Sequence, residues 1–136
     1  MSRTLATEKS ILFSFVLAAA AMLAPFAAHS DAASEITTAA THAGFAAKST
    51  TLDGVHMHLH HAVNCLVGPK GDGFDASQLN PCAGSGNGAI PDESDNTRRT
   101  ALEAAVAEAK RGLAATGLAA AQASAQKTES MLKALK

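Results

Sequence analysis

Apolar residues recur at helical spacing in four stretches of the chain. Ile36, Ala40, Ala43 and Ala47 are spaced 4, 3 and 4 apart, which predicts a helix over residues 34–47 with Ser34 or Asp31 as its cap. Leu52, Val55, Leu59, Ala62, Val63 and Leu66 mark a second helix, entered through a Thr50/Asp53 capping-box pair and ended by Gly68-Pro69. A strand with Val55, Met57 and Leu59 opposite His56, His58 and His60 is the competing pattern, but it is much shorter than the helical stripe and lacks its caps. Leu102, Val106, Ala109 and Leu113 predict a third helix capped by Asp95 or Asn96. After a Thr116-Gly117 turn, Leu118, Ala121, Ala125, Thr128, Leu132 and Leu135 form a coiled-coil-like seam on a fourth.

Between the second and third helices, residues 68–96 are rich in turn formers: Gly68-Pro69, Gly71, Gly73, Asn80-Pro81, Gly84, Gly86, Gly88 and Pro91. A loop this long in a compact domain is functional or tied down. Phe74, Leu79 and Ile90 are its expected apolar pegs, and Cys65 and Cys82 its expected tether. Asp72, Asp75, Asp92 and Asp95 do not follow calcium-loop spacing and read as turn and capping residues. Two helical hairpins joined by one long connection predict an all-α fold, a small four-helix bundle with a disulfide-tethered loop.

The first 32 residues carry a different signal. Arg3 and Lys9 precede an uncharged apolar run, Ile11 to Leu23, then Pro25 and small residues, which is the layout of a signal peptide. The apolar run is shorter than the ~20 residues a membrane-spanning helix needs, so cleavage is expected, with no membrane attachment afterwards. The expected organisation is therefore a signal peptide over 1–32 and one helical domain over 33–136, periplasmic or secreted. An oxidising compartment turns the Cys65 and Cys82 pair into a disulfide, worth about 3 kcal/mol in the chain-entropy model.

The chain has 11 Lys and Arg against 12 Asp and Glu, a net charge of −1. Removing Arg3, Glu8, Lys9 and Asp31 with the leader leaves that balance unchanged. Such a surface lacks the basic face of a nucleic-acid binder. With no Trp or Tyr, and only Phe45 and Phe74 beyond the leader, base stacking is excluded as well. An alanine-rich seam buries little apolar area, so a homodimer or a periplasmic protein partner would supply the missing burial.

One cluster carries chemistry. His56, His58, His60 and His61 fall within six residues of the second helix. His56 and His60, at i and i+4, have the spacing that lets two imidazoles share an ion. His58 and His61 are a looser i, i+3 pair, and a helical wheel turns His61 away from the core. If the first hairpin turns near Ser49, His42 lies level with His56. The expected ligands are thus His56 and His60, with His42 or His58 as a third and Met57 as a soft sulfur. Imidazole suits copper, zinc and nickel. A structural or partner-binding bundle with surface histidines is the alternative, and b-type haem, with His56 and Met131 as axial ligands, is a third. No Glu follows His56 to make a metallopeptidase motif, no GxSxG elbow is present, and Gly84–Gly88 lacks the lysine of a phosphate loop. The expectation is a protein that is not an enzyme.

The segment HMHLHHAVNCLVGPKGDGFD, followed by NPC and GNGAIPD, resembles small uncharacterised exported proteins of proteobacteria. The resemblance spans residues 52–93 and implies export; it carries no activity and no site.

Overall fold

The computed structural model describes residues 32–136, so the leader expected over 1–32 lies outside the described residues apart from its last position. Five helices and no strand are present among the described residues: α1 (Ala32–Lys48), α2 (Leu52–Val67), α3 (Ala89–Asp92), α4 (Asn96–Ala114) and α5 (Leu118–Lys133). No described helix is long and apolar enough to cross a membrane.

The four long helices pack in cyclic order: α1 against α2 and α5, and α4 against α5 and α2. The short Ser49–Thr51 link forces α1 and α2 antiparallel, and Ala115–Gly117 does the same for α4 and α5. The core is built on Ile36, Val55, Leu59, Leu66, Leu102 and Leu132, all with no exposed surface. Between them stand alanines, which bring helix axes together at the expense of buried apolar area. Gly44 takes this furthest, since a Cβ there would sit 2.8 Å from Glu129 Oε1 on α5. The α5 seam expected from the sequence is spent inside the chain, with Ala121, Ala125, Thr128 and Leu132 all buried.

The helix ends follow local chemistry, with some corrections. Ser34 lies inside α1 rather than at its N-cap position, and Asp31, the alternative cap, lies outside the described residues. The cap of α2 is Thr51, one residue later than the Thr50 expected; its Oγ1 accepts from the Gly54 N–H at 3.1 Å. Thr51 wins because it holds the extended backbone that an N-cap needs. Asp95 caps α4, accepting from the Arg98 N–H at 2.7 Å. At the far end of α2, Gly68 adopts φ 67° and donates its N–H to the Asn64 carbonyl. A Cβ at Gly68 would fall 1.6 Å from the Asn87 carbonyl oxygen, so only glycine permits this crossing of the loop.

The Cys65–Cys82 disulfide is formed, with Cα atoms 5.1 Å apart. Asn64 adds a second clamp: buried completely, it donates from Nδ2 to the Asp75 carbonyl and accepts from the Asp75 N–H, both at 2.9 Å. A third tie is the Gly88 N–H donating to Glu35 Oε1 on α1 at 3.0 Å. These ties nucleate α3 inside what the sequence presents as uninterrupted loop, and they seat Ala89 in the core. Phe74 and Ile90 pack on the core as expected. Leu79 does not; it is 64% exposed. Its carbonyl is turned inward to the Asn64 amide, 3.2 Å away, and the side chain is left outside.

Candidate metal centre

His42 on α1 and His58 and His61 on α2 converge at the α1–α2 seam. Each offers a ring nitrogen such that all three lie within 4.8 Å of one another. His42 Nδ1 and His58 Nδ1 stand 3.4 Å apart across the seam. Two nitrogens bound to one tetrahedral zinc at ~2.0–2.1 Å stand about 3.3–3.4 Å apart, so this edge already has ligand spacing. The rings are tilted or edge-on to one another, with centroids 5.1–5.6 Å apart. Phe45 closes one side, edge-on to His42 and tilted against His58.

His58 and His61 share a face of α2 because they are three residues apart. That face meets α1, so a helix-wheel pair becomes a three-membered group only once the hairpin is folded. Contrary to the sequence expectation, His61 is buried, with 7% of its surface exposed. The cause is not local: the rings of His42 on α1 and of His58 stand 5.1 and 5.6 Å from the His61 ring, centroid to centroid. The loop tied at Asn64 and Cys65 covers α2 one turn further on.

The electrostatics favour the ligand form of the rings. Burial, then the neighbouring His61 and His58, hold the His42 pKa below its ordinary value. Burial, then His58 and His60, do the same for His61. Neutral imidazole is the form that binds metal. His61 Nδ1 is buried and has no hydrogen-bond partner. An orphaned ring nitrogen inside a group of imidazoles has a costly lone pair or N–H that a bound cation would relieve.

The His56 and His60 pair expected as primary ligands is not part of this group. Their positions on the α2 wheel place them on the opposite flank. His56 Nε2 lies 3.1 Å from the Ala115 carbonyl at the end of α4. His60 Nδ1 faces Asp75 Oδ2 at 3.5 Å. His42 and His58, named as third ligands, are in the group, and His61 is the member the sequence reading missed. The available signal was its i, i+3 relation to His58, set beside His42. Met57 is 42% exposed, one turn before His61 on the same face of α2.

No protein-family model matches the chain, and no curated protein or solved structure matches it either.

Proposed function

We propose that this is a small exported helical protein that binds one transition-metal ion, copper, zinc or nickel, through His42, His58 and His61. The observation that carries the reading is the convergence of three ring nitrogens from two helices, in a group whose His61 also has a buried, unpartnered Nδ1. The site sits on rigid elements, which suits selective binding. The cyclic packing of α1, α2, α4 and α5 supports a four-helix bundle of two hairpins as its scaffold. The disulfide supports an oxidising compartment, periplasmic or extracellular. All three members of the group are histidines, so the role we assign is holding, buffering or sensing an ion rather than hydrolysis.

Calorimetric titration of metal-free protein with zinc, nickel and ascorbate-generated copper(I) tests this. One ion per chain should bind tighter than about 10 μM, near −7 kcal/mol. His42→Ala, His58→Ala and His61→Ala should each weaken binding at least tenfold, while His56→Ala and His60→Ala leave it within twofold. No binding at that level, or loss on removing His56 and His60 instead, overturns the assignment. A second reading, a partner-binding bundle, is favoured by the exposed apolar side chains of Phe45 and Met57 next to the histidines. It predicts no ion binding and a complex dissociated by Phe45→Ser.

A further inference from the structure

A separate cleft opens where the turn after α2, the α3 segment and α4 meet. Its volume is about 760 Å³, within the range of roughly 300–1,000 Å³ typical of small-ligand pockets. Its walls include Val67, Ile90, Pro91 and Val106, an aliphatic surface, and it shares no residue with the histidine group.

One cation in its wall is positioned in advance. Arg99 lies in the first turn of α4, where the helix dipole also favours an anion. Its Nη2 donates to the Glu93 carbonyl and its Nη1 to Asn96 Oδ1, the latter at 2.9 Å. Both acceptors are neutral. The guanidinium is therefore fixed in direction while its charge is not matched by a carboxylate, and three of its five N–H donors are uncommitted. The other charges of the wall are arranged differently. Lys110 is paired with Asp72 at 3.0 Å. The Asp92 carboxylate accepts from the Asn87 backbone N–H at 2.7 Å and from its Nδ2 at 3.0 Å. Lys70 stands at the exposed rim, and Glu103 lies one turn beyond Arg99.

We propose that this cleft binds a small amphipathic monocarboxylate, its carboxylate on Arg99 and its aliphatic body against Val67, Ile90 and Val106. A guanidinium fork matches a planar carboxylate in two parallel hydrogen bonds. Asp92 and Glu103 in the same wall disfavour a dianion such as phosphate, and the aliphatic surface selects against a fully polar ligand.

Octanoate titrated into ¹⁵N-labelled metal-free protein is the test, with octanol and inorganic phosphate as parallel probes. Octanoate should bind saturably below about 1 mM. Amide shifts should centre on Ile90, Arg99 and Val106 and leave His42 and His58 unmoved. Octanol and phosphate should bind at least tenfold more weakly. Arg99→Gln should cost at least tenfold for octanoate, and Arg99→Lys, which keeps the charge and loses the fork, should cost less. Failure of octanoate to bind, shifts centred elsewhere, or octanol binding as tightly as octanoate overturns the proposal whether or not the Arg99 variants fold.

Discussion

His42 and His58, sixteen residues apart in sequence, bring their Nδ1 atoms to 3.4 Å across the seam between two helices. With both rings neutral, one Nδ1–H donates and the other Nδ1 accepts, so the pair is held in opposite tautomers. A cation between them would replace that proton and draw on both lone pairs. The same contact ties the fold to protonation, because a second proton converts attraction into repulsion.

Stability should therefore fall in two stages as the solution is acidified. His42 and His61 have pKa values held below the ordinary histidine value of about 6.5, so the unfolded chain binds more protons in the window just beneath it. Their contribution is complete above about pH 6.5 and is lost as pH falls towards their folded values. A second loss belongs to carboxylates held low in the folded state. Arg98 and the Asp95 N–H lower Glu93. Burial pushes Glu108 up, but Lys127, Ser124 and Arg111 outweigh it and keep the group low. This contribution is present above the unfolded carboxylate value and disappears as pH falls through the folded one. Urea midpoints measured without metal at pH 7.5, 5.5 and 3 should step down twice, and His61→Gln should flatten the first step only.

Asn64 should behave as a structural clamp whose release is felt at His60 and not at His61. Replacing it with leucine leaves the Asp75 N–H and C=O without their partners, at a cost of about 1–3 kcal/mol. The loop would lift from α2 at Asp75, and His60 would lose the carboxylate 3.5 Å from its Nδ1. Diethylpyrocarbonate should then modify His60 faster than in the parent protein, while His61, packed against His42 and His58, reacts equally in both. Unchanged His60 reactivity would mean that other contacts hold the loop at Asp75.

What could be read in the sequence divides along the range of the interactions concerned. The α2 stripe, the Gly68 stop and the Asp95 cap depend on neighbours within a few residues, and they stand where the spacing places them. Thr50 and Thr51 are alternatives that spacing alone cannot separate, since both present a hydroxyl ahead of the same stripe. Residues Ala89–Asp92 form a helix because Gly88 is anchored to Glu35, fifty-three residues earlier. His61 is buried beside His42 of α1, nineteen residues earlier. Helical periodicity marks the apolar stripe of a helix, and it is silent on polar side chains that meet across a seam with another helix. For the same reason the i, i+4 pair of His56 and His60 attracts a ligand reading, although the partner that completes the group comes from α1 on the other flank.

Removing the disulfide by the double change Cys65→Ala and Cys82→Ala should act on the loop before the helices. The bond closes a span of 17 residues, worth roughly 3 kcal/mol in the chain-entropy model. The helix seams do not depend on it, since α1, α4 and α5 are packed by other contacts. Hydrogen exchange should show protection lost first over residues 69–86 and retained in α4 and α5. Simultaneous loss throughout would mean that loop and helices form one cooperative unit.

The identity of the ion is best approached through Met57. Its thioether lies one turn before His61 on the same face of α2, in a side chain with three rotatable bonds and 42% exposure. It is free to swing inward over the group or to stay outside. A soft sulfur adds affinity for cuprous ion and little for zinc, which takes nitrogen and thiolate ligands. Met57→Leu keeps the size and apolar character of the side chain and removes only the sulfur. If the centre holds copper(I) with Met57 as its fourth ligand, this change should weaken copper(I) at least tenfold, near 1.4 kcal/mol, and leave zinc within twofold. Equal affinities for copper(I) in parent and variant would leave three imidazoles as the complete ligand set and shift the preference towards zinc or nickel.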